Sequence, residues 1–158
     1  MDIYKILEDL GIEYKIHEHQ AVFTVEESLK HEKEIPGSRN KSLFLRNREK
    51  SQYYLVIIYG DKRLNTNQLT KDLNETRLSF ASAEDLDKIL GTNPGSVSPY
   101  TLINDTEKKV TVLIDTDVVA EDKVYFHPDR NTATLEMATD DFKKYLDWTK
   151  NKVVYLEI

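Results

Sequence analysis

Ser42-Leu-Phe-Leu-Arg-Asn-Arg-Glu-Lys-Ser-Gln-Tyr-Tyr-Leu-Val-Ile-Ile-Tyr59 reads as two apolar and aromatic runs around a charged middle. Ser42–Arg46 and Tyr53–Tyr59 have strand composition, and the polar stretch Arg46–Gln52 between them predicts a hairpin. Toward the N-terminus, Ile3, Ile6, Leu7 and Leu10 recur at helical spacing over residues 2–10, and Gly11 stops that helix. Ile12–His17 alternates apolar and polar as a strand does. Thr24-Val-Glu-Glu27 has capping-box spacing and predicts a short helix ending near His31, followed by a turn at Pro36-Gly37. Toward the C-terminus, helices are expected over Asn67–Leu73, Ser82–Leu90 and Asp140–Trp148. Strands are expected over Arg77–Phe80, Val110–Asp115, Val124–Phe126, Thr132–Met137 and Val153–Glu157. The interleaving is irregular and several strands neighbour each other as hairpins. That pattern favours an α+β fold with a mixed sheet over a doubly wound parallel one.

At 158 residues, with no repeat, linker or low-complexity stretch, the chain is expected to be a single domain spanning 1–158. The absence of cysteine excludes disulfides, thiol nucleophiles and cysteine metal sites. Met1-Asp-Ile-Tyr-Lys5 has no basic region leading into an apolar run, and no apolar run approaches the roughly 20 residues that span a bilayer. A cytoplasmic, soluble protein without a membrane partner is expected. Net charge is −6, but Lys33–Arg77 alone carries +5, leaving −11 for the rest. One basic face on an acidic body could touch a few phosphates in a salt-dependent way; solvated strand and turn residues are the plain alternative.

Nine residues, Gly91-Thr-Asn-Pro-Gly-Ser-Val-Ser-Pro99, hold two of the five glycines and two of the four prolines. Such a loop can fix its N–H groups before a ligand arrives, as an oxyanion or phosphate site requires. A helix stop at Gly91 followed by a tight turn is the simpler reading. His17 and His19 would share a strand face, but with no third ligand nearby a zinc site is not expected; His31 reads as a surface residue. His127, between a strand end and Pro128, would be held at a strand terminus, as a ligand contact or as a turn pin. Asn131 could cap that turn or donate to a ligand. Lys41, at the mouth of Lys41-Ser-Leu-Phe-Leu45, could meet a phosphate or a developing negative charge, or simply snorkel. No phosphate-binding loop, dinucleotide fingerprint or nucleophile elbow is present.

Taken together, Phe23-Thr-Val-Glu-Glu27, Lys41-Ser-Leu-Phe-Leu45, Arg77-Leu-Ser-Phe-Ala-Ser82, Leu90-Gly91 with Gly95-Ser-Val-Ser-Pro99, Asn104-Asp105 and Phe126-His-Pro128 with Asn131-Thr132 resemble the YbaK/prolyl-tRNA-synthetase-associated editing domain. The resemblance covers about residues 2–157 and is greatest to the free-standing alanyl-tRNA(Pro) deacylases. It implies a compact, barrel-like, mostly antiparallel sheet flanked by helices, with no metal or cofactor. It implies a deacylase in which Lys41 is essential, Gly95, Ser96, Val97, Ser98 and Pro99 form the catalytic pocket, and His127 lines the amino-acid pocket. Ser42, Phe44, Asn131 and Thr24 are the further substrate-binding candidates, with Ser42 standing where many relatives have asparagine. Water aided by the terminal ribose hydroxyl of the tRNA would attack the ester.

Such chemistry needs no protein nucleophile, only positioning and charge stabilisation, which one loop and one lysine can provide. A pocket too small for proline would complete a double sieve, because a few methylenes alone change binding by only about 1–3 kcal/mol. The expected partner is the acceptor end of an aminoacylated tRNA, with transient contact to prolyl-tRNA synthetase. Cysteinyl-, seryl- or other mischarged tRNA is an alternative substrate, and a non-catalytic amino-acid or tRNA sensor is an alternative function.

Overall fold

The computed structural model describes residues 2–18, 40–128, 130 and 132–158. Tyr53–Tyr59 forms strand β3, and its unbroken apolar run is explained by burial on both faces. Alternate side chains of a strand point to opposite faces. Tyr53, Leu55 and Ile57 therefore enter one core cluster, and Tyr54, Val56 and Ile58 enter another. A one-residue slip in pairing would exchange the two sets, so the register is strongly specified.

Strand β2 (Asn40–Arg46) runs antiparallel to β3, with Lys41 opposite Ile58 and Ser42 opposite Ile57. The predicted hairpin is present, closed by Asn47 Oδ1, which accepts from the Ser51 and Gln52 amides. β5 (Val110–Asp115) lies parallel on the other side of β3, and β8 (Val153–Leu156) lies parallel to β5. The two-residue β4 (Ser79–Phe80) completes a five-stranded sheet in the order β4-β2-β3-β5-β8. A separate antiparallel sheet orders β1 (Tyr14–Glu18), β7 (Ala133–Ala138) and β6 (Lys123–Phe126) as β1-β7-β6.

Two sheets meet across the larger core cluster. Phe44, Leu55, Val112 and Ile114 of one sheet and Val124, Phe126, Leu135 and Met137 of the other belong to it. Helices α1 (Ile3–Asp9), α3 (Ala83–Leu90) and α5 (Thr139–Thr149) close its flanks, while α2 (Thr66–Asp72) covers the smaller cluster through Leu69. The architecture is α+β with a mixed sheet, as expected. It is not a barrel: among the described residues the two sheets stay separate, and two pairings are parallel. Two elements were not expected, a 3-10 helix over Pro99–Asn104 and the short α4 (Thr116–Val119). The expected helix from Thr24 and the turn at Pro36-Gly37 lie outside the described residues. No helix among the described residues is long and apolar enough to cross a membrane.

A buried carboxylate joins three of these elements. Asp105, at the end of the 3-10 helix, accepts from the Lys109 and Val110 amides and from Asn151 Nδ2, at 3.0, 3.0 and 2.8 Å. It thereby fixes the start of β5 and the approach to β8. Asp105→Ala would leave the buried Val110 amide unpaired and take one acceptor from the Lys109 amide and one from Asn151 Nδ2, which keeps the Val110 carbonyl; a buried unpaired donor costs about 1–3 kcal/mol before relaxation. A loss of about 3 kcal/mol, lowering Tm by roughly 6–12 °C, is expected in thermal denaturation; an unchanged Tm would show that Asp105 is not a structural pin.

A second carboxylate makes stability depend on acid. Burial pushes the Glu75 carboxyl up, but hydrogen bonds from Tyr54, the Thr76 amide and Asn47 outweigh it and hold its pKa below the ordinary value. A group depressed in the folded state contributes stability above its unfolded pKa and loses it as pH falls through the folded one. Glu75→Gln should therefore flatten the acid limb of the stability–pH curve below about pH 4.5 while costing stability at neutral pH. Urea midpoints across pH 3–7 would read the difference.

Candidate active site

Three segments far apart in sequence line one small cleft where the two sheets meet. The first is the opening of β2, Asn40, Lys41 and Ser42; the second is the loop Pro94, Gly95 and Val97. Tyr125, Phe126 and His127 at the end of β6, with Thr134 of β7, supply the third. The cleft measures about 190 Å³, below the roughly 300–1,000 Å³ of sites for drug-sized ligands. It suits a small acyl group rather than a bulky one.

The loop is rigid for identifiable reasons. Gly91 ends α3 at φ 62°, and a Cβ there would stand 3.1 Å from Asn104 Nδ2, which itself donates to the Leu90 carbonyl. The simple helix-stop reading of Gly91 is thus correct, and it coexists with a preorganised loop. Asn93 then folds the chain back: its Oδ1 accepts from the Gly95 amide and its carbonyl from the Ser96 amide, both at 3.0 Å. Those two donors are occupied. The amides of Val97 and Ser98 have no acceptor among the described residues, and of the two residues only Val97 lines the cleft.

Ser98 and Pro99 do not line the cleft, although both were expected in the pocket; they fasten the loop from behind. Fully buried Ser98 donates from Oγ to the Pro128 carbonyl at 2.7 Å and accepts from the Tyr100 amide at 3.1 Å. The Pro99 carbonyl accepts from Tyr145 Oη at 2.8 Å, tying the loop to α5. Ser96 is also buried and outside the lining. Phe44 needs correction as a substrate contact: it shares a β2 face with Ser42 but packs in the core, stacked on Tyr53 with centroids 5.6 Å apart. Thr24 and Asn131 lie outside the described residues, as do His19 and His31. His17 faces Glu136 at 3.3 Å on the three-stranded sheet; it stands opposite Thr134 in the β1–β7 register but does not itself line the cleft.

Sequence reasoning missed Asn40, Pro94, Tyr125, Phe126 and Thr134. The β6–β7 register, with Phe126 opposite Leu135, brings Thr134 beside His127, and only strand pairing could have revealed it. Among the described residues, the basic side chains of the Lys33–Arg77 segment other than Lys41 do not line the cleft. Arg46, Arg48 and Lys50 sit at the far end of β2, roughly 20 Å of strand from Lys41. Lys62 is bound by Asp115 at 2.5 Å and Asp117 at 2.8 Å. No carboxylate among the described residues pairs with the half-buried Lys41.

With this geometry in hand, comparison with known proteins is direct. A model of the aminoacyl-tRNA editing domain matches residues 19–145, and the chain belongs to that family. It is 34% identical over 152 residues to the prolyl-tRNA editing protein ProX of Acetoanaerobium sticklandii, covering 96% of this chain and 93% of that one. It is 32% identical over 151 residues to prolyl-tRNA synthetase associated domain-containing protein 1 of Mus musculus, covering 93% and 89%. A crystal structure of a candidate trans-editing enzyme for prolyl-tRNA synthetase superimposes with a TM-score of 0.71 at 21% identity, over 99% of this chain and 94% of that one. At that identity it shows a shared fold.

The Ser98 tie to Pro128 should be measurable. Ser98→Ala removes both hydrogen bonds from a fully buried site and is expected to lower stability by about 1–3 kcal/mol, read as a shift of the urea midpoint at unchanged m-value. An unshifted midpoint would mean that the two loops are held by other contacts.

Proposed function

We propose that this protein is a trans-editing deacylase that hydrolyses the ester of mischarged tRNA(Pro), with Ala-tRNA(Pro) as its substrate. The observation carrying the proposal is the convergence of Lys41, the Gly95–Val97 loop and His127 on one cleft of about 190 Å³, in a chain of the aminoacyl-tRNA editing family. The alanyl group enters the cleft beside His127 and Thr134. Water, assisted by the neighbouring ribose hydroxyl of the tRNA, attacks the ester carbonyl carbon, and the carbonyl oxygen takes the charge. The Val97 amide and the Lys41 ammonium stabilise that oxyanion. Collapse breaks the bond to the ribose oxygen, which takes a proton, releasing alanine and the tRNA.

Size separates alanine from proline. The synthetase's own pocket cannot reject the smaller amino acid strongly, since missing methylenes change binding by about 1–3 kcal/mol. The small cleft here accepts what that pocket admits in error and leaves correct Pro-tRNA(Pro) untouched. The acidic body and the distance between the basic turn and the cleft favour contact restricted to the acceptor end of the tRNA, with the synthetase engaged transiently. The reaction belongs in the cytoplasm, with its charged tRNA.

Release of alanine from Ala-tRNA(Pro) by the purified protein tests the reading, with Cys-, Ser- and Pro-tRNA(Pro) as competitors. Lys41→Ala should slow release on the order of 100-fold or more at unchanged stability. An inert wild type would favour the sensor function, and a fully active Lys41→Ala would remove the lysine from the mechanism.

A further inference from the structure

Asn40 opens β2 and lines the cleft beside Lys41 and Ser42. Its carboxamide oxygen is shielded from solvent and receives no hydrogen bond. Buried acceptors in folded proteins are nearly always satisfied, so an orphan on a residue that lines a ligand cleft calls for a donor that arrives with the ligand. The deacylase reading supplies the ligand class, and this inference rests on it for that. An aminoacyl ester brings one strong, charged donor, its α-ammonium group, which carries three N–H bonds.

We propose that Asn40 Oδ1 is the seat of the substrate's α-ammonium group. The other groups of this wall argue the same way. Lys41 is a cation, offers no lone pair and repels a second ammonium. Alternation along the strand places Asn40 and Ser42 on one face, so the Ser42 hydroxyl can accept beside the amide while Lys41 starts from the other face. A neutral amide is also the right acceptor chemically. A carboxylate at position 40 would bind the substrate ammonium but would neutralise Lys41, whose charge is needed at the ester. The carboxamide holds one cation without capturing the other. Recognition of the aminoacyl group thus has two parts: the side chain is judged by space, and the amino group by one hydrogen-bond acceptor.

The test uses binding, so that it does not depend on turnover. The probes are 3′-alanylamino-3′-deoxyadenosine, a non-hydrolysable amide in place of the ester, and its propionyl counterpart, which lacks only the amino group. Wild-type protein should bind the alanyl compound roughly tenfold to a hundredfold more tightly, the effect of one hydrogen bond to a charged group. Asn40→Ala should abolish that preference while retaining affinity for the propionyl compound. Asn40→Asp, which keeps an acceptor oxygen, should retain it. Equal binding of the two probes by wild type overturns the proposal, as does a preference that survives in Asn40→Ala or an Asn40→Ala that weakens both probes alike. Failure of the two readings is distinguishable: a protein that discriminates the probes yet releases no alanine from Ala-tRNA(Pro) fails only as a deacylase. One that deacylates without discriminating fails only in the role assigned to Asn40.

Discussion

The Ser98 hydroxyl spans two segments thirty residues apart in sequence. By donating to the Pro128 carbonyl from a fully buried position, it couples the Gly/Pro loop that follows α3 to the turn that carries His127. Each segment is anchored separately as well, the loop by Asn93 and Tyr145, the turn by the end of β6. Without the shared bond these would be two separately ordered loops. With it they form two walls at a fixed separation, and the third wall, the opening of β2, is held by pairing to β3. The cleft is a consequence of how the sheets are joined.

That arrangement explains how so few polar groups could serve a hydrolysis. The protein needs no nucleophile if substrate and water supply the reacting oxygens. Its contribution is to keep donors where charge develops, at no cost of reorganisation during the reaction. Asn93 matters here through what it consumes. By occupying the Gly95 and Ser96 amides it stiffens the loop and leaves the Val97 amide, on the cleft lining, without an acceptor among the described residues.

Much of the fold was legible because the decisive signals were local. The doubly buried run Tyr53–Tyr59 and its hairpin partner, the Gly91 stop and the Ser82 cap of α3 all stand in the sequence as composition and spacing. α4 escaped notice because Thr116-Asp-Val-Val119 is one turn long and rich in β-branched residues, which favour strands. The 3-10 helix escaped because its proline start reads as a loop. At the site, Lys41, Gly95, Val97 and His127 could be named from their motifs and do meet in the cleft. Phe44 could not be sorted into core or cleft by residue type, since an aromatic two positions from Ser42 fits either. Ser98 and Pro99 share the loop motif, but only the hydrogen bonds reveal that they face inward. Thr134 and Tyr125 depend on strand pairing, which no local pattern encodes.

Two walls of the cleft belong to different sheets, and those sheets share a core cluster that holds Phe44 of one and Phe126 of the other, with Phe126 stacked on Phe142 of α5, 5.1 Å between ring centroids. The width of the opening is therefore an outcome of interior packing. A protein built this way can drift in the amino acid it admits through substitutions that never meet the ligand, each changing the spacing of the layers by a fraction of a methyl group. Selectivity in such a molecule is heritable through its interior as much as through its mouth.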